Sequence, residues 1–316
     1  MLTYVQGDLF TSPASVLTNT VNTVGVMGKG IAKDFKYFYP EMFTRYQQLC
    51  EADELTIGTL CYYRAHHKSV LNFPTKRHWR QRSRLEDIEA GLVTFVNTYT
   101  EHSISSIAFP QLGCGNGELD WEGEVRPLME EYLRQLPIDI YIHIYDSRDI
   151  TPEHRNIMSM KKWLRSEPQS LAFSEVWEDL TSIVANVPDD GATHGWKVAV
   201  QASEEDPALI FESEHRTVVY PKFDLQDIWQ QLRSYGLFSV SDLPNDYRDA
   251  GQGLNWLLCQ LPYIEPTNFD VVNQARGSTT SELLSSARAQ GVRLVLPTVG
   301  HEEGTQAELL PLMVAS

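Results

Sequence analysis

The sequence predicts a three-layer α/β domain over residues 1–150, followed by a smaller, acidic α+β domain over residues 151–316. Three observations carry this. Short β-rich runs alternate with helical stretches from Leu2 to Tyr145, as expected when helices cover a sheet. Two strand-to-helix connections, Gly25 to Gly30 and Gly113 to Gly117, are crowded with glycine. The alternation then breaks at Asp146, Arg148, Asp149 and Pro152.

Leu2 to Gln6 and Val16 to Thr20 read as strands, the first ending in Gly7-Asp8 and the second in Asn19 to Asn22. Asp8 is either an acceptor for an amine or a turn aspartate. Gly25, Gly28 and Gly30 remove Cβ atoms just before a helix (Ile31, Ala32, Phe35, Phe38), whose N-terminal N–H groups point into the same space. An anion-binding loop and an ordinary βα turn both fit that stretch. Pro40 opens a second helix (Met42, Phe43, Tyr46, Leu49), with Glu41 in its first turn.

Strands follow at Thr59 to Tyr63 and Ser69 to Phe73, then the cationic run from Lys76 to Arg84. Arg77, His78, Trp79 and Arg80 form either a nucleic-acid contact, with Trp79 as a stacking face, or a solvated loop. Lys76 differs in following a strand end and a proline, where ligand-facing residues of an α/β sheet gather. Ser83-Arg84-Leu85-Glu86 has the pattern of a capping box and starts an amphipathic helix (Leu85, Ile88, Leu92, Phe95, Val96, Tyr99). A strand over Ile104 to Phe109, the loop Pro110 to Gly117, a helix over Trp121 to Leu136 and a strand over Ile138 to Tyr145 complete the domain. The second loop matches neither the Walker pattern nor the dinucleotide fingerprint, but two such loops in one unit point to an anion cleft at one rim of the sheet.

A short helix over Ile157 to Leu164 bridges to the second domain. Its expected elements are a helix over Ser174 to Val187, strands over Trp196 to Gln201 and Leu209 to Tyr220, helices over Leu225 to Leu232, Gly253 to Leu261 and Thr280 to Gln290, and a strand over Val292 to Leu296. His194, His215 and His301 are too dispersed for a site and read as surface residues.

The net charge of −16 divides unevenly, with −5 in residues 1–150 and −11 in residues 151–316. So acidic a second domain is a poor reader of nucleic acid; it docks on a basic protein or is simply well solvated. Cys50, Cys61, Cys114 and Cys259 are scattered, without the spacing of a disulfide framework or a zinc site, so a reducing cytoplasm is expected and no metal. The N-terminal run lacks the pattern of a signal peptide, and no apolar stretch is long enough to span a membrane.

Gly7-Asp8-Leu9, Asn19 to Asn22, Gly25 to Gly30, Phe73-Pro74-Thr75-Lys76 and Pro110 to Gly117 together resemble the macrodomains, which bind ADP-ribose. The Gly28-Lys29-Gly30 and Phe73-to-Trp79 segments are similar to the DarG branch, antitoxins that remove ADP-ribose placed on DNA by a DarT toxin. The resemblance implies a three-layer α/β/α macrodomain with a mixed central sheet and no cofactor. It implies that Asp8, with Leu9, receives the adenine amino group. Asn22 would hold the distal ribose and take part in catalysis, the loop Gly25, Val26, Met27, Gly28 and Gly30 would embrace that ribose and part of the pyrophosphate, and Asn19 would belong to the same binding site. Thr75 and Gln111 would line the cleft, and Gly113, Cys114, Gly115, Asn116 and Gly117 would cradle the diphosphate. Lys76 matches the catalytic lysine, made reactive by desolvation or by nearby cations such as Arg77. Gly117 stands where the related protein glycohydrolase has an aspartate, which favours a DNA-linked substrate; Asp120 lies three residues on. The partners implied are ADP-ribose, ADP-ribosylated single-stranded DNA and a DarT-type toxin bound by the second domain. A phosphatase acting on ADP-ribose 1″-phosphate, a protein ADP-ribosyl glycohydrolase and a non-catalytic ADP-ribose reader are the alternatives.

Overall fold

The structure, a computed structural model, describes residues 1–145, 152–187, 195–203, 205–271 and 287–295. Its N-terminal elements are β1 (Leu2–Gln6), β2 (Val16–Asn22), α1 (Gly30–Phe38), α2 (Pro40–Glu51), β3 (Cys61–Tyr63), β4 (Ser69–Lys76), α3 (Leu85–Thr98), β5 (Ser106–Pro110), α4 (Arg126–Leu133) and β6 (Asp139–Ile144). They build one mixed sheet in the order β1-β6-β5-β2-β4-β3, in which β3 is the antiparallel edge strand and every other pairing is parallel.

Side chains of β2, β4 and β5 alternate between two cores, as the period of two requires. Val16, Leu71, Phe73, Ile107 and Phe109 pack under α3 and α4 with Ile88, Leu92, Phe95 and Met129. Leu17, Val21, Val70 and Ala108 pack under α1 and α2 with Phe35, Met42, Phe43 and Tyr46. All eight residues of β4 are buried, which fits a strand covered on both faces and explains its near-continuous apolar run.

Two local expectations change. The capping box at Ser83 does not form: α3 is entered through Arg84 without a side-chain cap, because the second glycine loop walls in Ser83, whose N–H donates to Gly117 O at 3.1 Å. The helix expected over Trp121 to Leu136 begins as a wide π-helical turn, Trp121–Val125, capped by Asp120, before α4.

The C-terminal half contains α5 (Ile157–Ser166), α6 (Phe173–Asn186), β7 (Lys197–Gln201), β8 (Ala208–Glu212), β9 (Thr217–Pro221), α7 (Lys222–Tyr235), β10 (Leu237–Ser239), α8 (Asn245–Arg248), α9 (Gly251–Leu258), β11 (Ile264–Val271) and β12 (Ala287–Leu294). Two antiparallel three-stranded sheets result, β7-β8-β9 and β10-β12-β11. The single strand expected over Leu209 to Tyr220 is a hairpin, β8 and β9, turned where Ser213 N–H donates to Arg216 O at 2.8 Å. Of the helix expected over Thr280 to Gln290, residues 280–286 lie outside the described residues, and Ala287 to Gln290 are strand. Pairing with β11, from Val271↔Ala287 onward, overrides the helix propensity of Ala-Arg-Ala-Gln. The sequence carries no clear signal for β11 because Pro266 interrupts it, which an edge strand tolerates. His215 is exposed; His194, His301 and Leu296 are outside the described residues.

The two halves meet through a common core. Val26 and Trp79 join Met160, Phe173, Leu180, Trp229 and Leu232 in one apolar cluster.

Candidate active site

Parallel strands place their carboxyl ends on one rim, and ligands gather outside that rim. Here β5 neighbours β2 and β2 neighbours β4, so the loops after β2 and β5 lie side by side and Lys76 ends the next strand. Asn22 and Lys76 pair in register across a bulge at Val21/Asn22. Three steps back along the same strands, the buried Asn19 Nδ2 donates to Asn72 Oδ1 at 2.9 Å.

The first loop is shaped from within. Asn22 Oδ1 accepts from Val24 and Val26 N–H at 3.1 and 3.3 Å, and its Nδ2 donates to Val26 O at 2.6 Å. Buried Tyr46 donates from its hydroxyl to Asn22 O at 2.8 Å, and Gln47 Nε2 donates to Gly25 O at 3.1 Å. Asn22 therefore governs the course of Gly25 to Gly28, while Val26 and Met27 turn inward and are buried. Gly30 has φ +59°, and a Cβ there would stand 2.8 Å from Asn116 Nδ2. The two loops thus touch across the cleft.

The second loop folds onto the start of α3. A Cβ on Gly117 would collide with the Gly113 carbonyl and Ser83 Oγ, so glycine is required there on packing grounds. Leu119 N–H donates to Gly113 O at 3.1 Å, and Glu118 turns at φ +60°. Burial pushes the Cys114 thiol up to about 12, leaving it a neutral lining group. Gln111 Oε1 accepts from Tyr145 N–H at 3.0 Å and so braces the end of the last strand. On the far side Asp8, exposed, accepts from Phe10 N–H at 2.9 Å, and Leu9 is buried beneath it.

Lys76 lies between the loops. Its Nζ donates to Asn116 O at 2.7 Å and is 4.0 Å from Glu153 Oε2, with both side chains only 8% exposed. Burial lowers its pKa, and the charges of Glu153 and Glu118 partly restore it. The expected contribution of Arg77 is absent from those causes, since its guanidinium turns outward and pairs with Asp87 at 2.9 Å. Thr75 is buried beside it, its hydroxyl 3.5 Å from Val21 O. Asp120 does not reach the centre: it is exposed and caps the π turn. Two carboxylates the sequence did not single out do approach, Glu118 and Glu153. Glu118 adjoins the last loop glycine, a hint in the sequence; Glu153 gave no signal.

The cationic run is largely turned away from solvent. Trp79 is fully buried and its Nε1 donates to Glu175 Oε1 at 3.0 Å. Arg80 Nη2 reaches Glu175 at 2.9 Å and Glu178 at 2.7 Å, with its guanidinium 4.7 Å from the Trp79 ring centroid. These two residues cannot serve as the stacking face and phosphate contact expected of them, because they are committed to the junction with α6. Burial and the Arg80 charge bring the His78 imidazole down to about 4, so it is neutral near pH 7. Arg77 and Arg82 keep more than half of their side chains exposed.

Residues 18–127 match the family model of the Macro domain, with both glycine loops and Lys76 inside the match. The N-terminal part of the chain is a macrodomain. Across it the chain is 47% identical over 149 residues to the DNA ADP-ribosyl glycohydrolase of Mycobacterium tuberculosis, covering 46% of this chain and 42% of that protein. It is 38% identical over 181 residues to the protein of that name from Thermus aquaticus, covering 56% of this chain and 49% of the other. Among solved structures, the macrodomain of Mycobacterium tuberculosis DarG is 46% identical, with a TM-score of 0.44, covering 46% of this chain and 99% of that one. The chain thus matches these curated relatives over less than half of their length. Among the described residues, no helix is long and apolar enough to cross a membrane, and no group of three or more His, Cys, Asp and Glu is placed to hold a metal.

Proposed function

We propose that the protein is a DNA ADP-ribosyl glycohydrolase that strips ADP-ribose from DNA bases and so opposes a DarT-type transferase, to which its acidic second domain also binds. The observation that carries this reading is Lys76, a buried amine with a lowered pKa at the junction of two glycine loops. Cleaving an N-glycosidic bond builds positive charge at the anomeric carbon, and a desolvated amine beside it serves as nucleophile. The names of the relatives sharing this macrodomain support the same chemistry.

In this reading Asp8 receives the adenine amino group and Leu9 floors that pocket. The loop from Gly25 to Gly30, held by Asn22, wraps the distal ribose, with Asn19 supporting the strand beneath it. Gly113 to Gly117 lie along the diphosphate, and Thr75 and Gln111 brace the cleft walls. Asn22 acts by fixing the loop next to the bond that breaks. Arg77 and Arg82 meet the phosphates of the single strand carrying the modification.

The test is turnover on oligonucleotides ADP-ribosylated at thymine and at guanine, beside a modified protein and ADP-ribose 1″-phosphate. Release of ADP-ribose from one oligonucleotide at least tenfold faster than from the other substrates is expected. Preference for the protein or the phosphate would overturn the assignment.

A further inference from the structure

Just past the macrodomain, the 3-10 turn Glu153–Arg155 lies across the reactive end of the sheet. It is tied to both walls of the cleft. His154 Nε2 lies 2.9 Å from Glu118 Oε2 in the second loop, and Arg155 pairs with the same carboxylate. On the other side, Met160 of α5 fills the space above Gly28, which a Cβ there would invade. Glu153 is thereby pressed inward, 6% exposed, with Oε2 4.0 Å from Lys76 Nζ. A carboxylate is seldom buried this far without a partner of opposite charge.

We propose that Glu153, contributed from outside the macrodomain, takes up the proton that the Lys76 ammonium must lose before it reacts and delivers it to the departing base. The proposal rests on the reading of Lys76 as nucleophile. Transfer of a proton from Nζ to Glu153 leaves an amine and a carboxylic acid. The amine lone pair then forms an Nζ–C1″ bond as the bond from C1″ to the base nitrogen breaks. The departing electron pair stays on that nitrogen, which takes the proton held by Glu153. Water adds its oxygen to C1″ as the Nζ–C1″ bond breaks, and its proton returns to the amine, restoring ammonium and carboxylate.

The charged and titratable groups facing the pair are Lys29 at the start of α1, buried Tyr46 of α2, and Glu118 with its partners Arg82, His154 and Arg155. Burial raises the Glu153 carboxyl to about 7, against the pull of Lys76 and Lys29, while Glu153 raises Lys76. The two titrate as a pair.

The experiment is steady-state turnover of ADP-ribosylated oligonucleotide by the full chain against pH, with ADP-ribose affinity and melting temperature alongside. For Glu153→Gln, kcat is expected to fall at least tenfold with KM and ADP-ribose affinity within twofold, and the limb of the kcat profile near neutrality should disappear. Glu153→Asp should recover part of kcat and the limb. Wild-type kcat and profile in Glu153→Gln would overturn the proposal; so would a loss in both variants of melting temperature, affinity and kcat together, which marks a purely structural residue. Lys76→Ala separates the two claims. An active Lys76→Ala defeats the nucleophile itself, whereas an inactive Lys76→Ala beside a fully active Glu153→Gln defeats only the role of Glu153.

Discussion

Lys76 owes its buried amine to being the last residue of a strand buried on both faces. Its stem follows Phe73, Pro74 and Thr75 into the protein, so its amine meets the cleft with little water around it. That position was legible, because a lysine directly after an apolar strand end has few other reasons to be there. Glu153 was not legible: nothing in its local pattern marks it, and only the fold brings it to Lys76. Its buried carboxyl has a sign that can be checked. With the folded pKa raised from 4.5 to about 7, the folded state holds more protons than the unfolded state between those values. Stability from this group is therefore full below pH 4.5 and is lost as pH rises through about 7. Melting temperatures from pH 4.5 to 7.5 should show that decline in the wild type and its loss in Glu153→Gln. Gly117 makes a second test at this scale. Gly117→Ala should cost about 1–3 kcal/mol through overpacking against Gly113 O and Ser83. Calorimetric binding should show weaker ADP-ribose affinity as the second loop shifts.

The segment after β4 shows what composition leaves undecided. Arginines, a histidine and a tryptophan in one loop suit a nucleic acid, and they suit an acidic helix equally well. The choice was made by Glu175 and Glu178 of α6, far away in sequence, which take Arg80 and the Trp79 indole. Glu175 is itself buried, so Arg80→Ala leaves a charge short of its main partner and should cost about 3–5 kcal/mol in denaturant unfolding. It should leave the salt dependence of oligonucleotide turnover unchanged. Arg77→Ala and Arg82→Ala are expected to do the reverse, with small effects on stability and a shallower dependence of KM on salt, because their side chains, although paired with Asp87 and Glu118, are more than half exposed and within reach of phosphates. The alternation of strand and helix in the macrodomain was readable from periodicity, apart from the π turn at Trp121–Val125 and the uncapped start of α3. The short strands of the second half were harder, since Pro266 and the helix-favouring residues at the start of β12 obscure a pairing that only the hairpin partner supplies.

At the scale of the molecule, the two halves share buried side chains as well as surface. Trp79 and Val26 of the macrodomain lie in the cluster formed by α6, α7 and α9, and Arg233 of α7 pairs with Glu51 of α2 at 2.9 Å. The second half therefore braces the back of the loop that follows Lys76, an arrangement its sequence did not announce. Its net charge of −11 supports docking on a basic partner. Complex formation between the full chain and a DarT-type toxin should weaken steeply as salt rises and should be competed by single-stranded DNA; salt-insensitive binding would remove charge as its basis. If Lys76 is the nucleophile, its removal should abolish turnover and leave a cleft that still binds ADP-ribose. The most direct measurement is single-turnover release of ADP-ribose from modified single-stranded DNA by wild type and Lys76→Ala, with ADP-ribose affinity determined on the same samples. A fall in rate of about 10²–10⁴ with affinity within a few-fold of wild type is expected; an undiminished rate, or a loss of rate matched by a loss of affinity, would rule out Lys76 as the nucleophile.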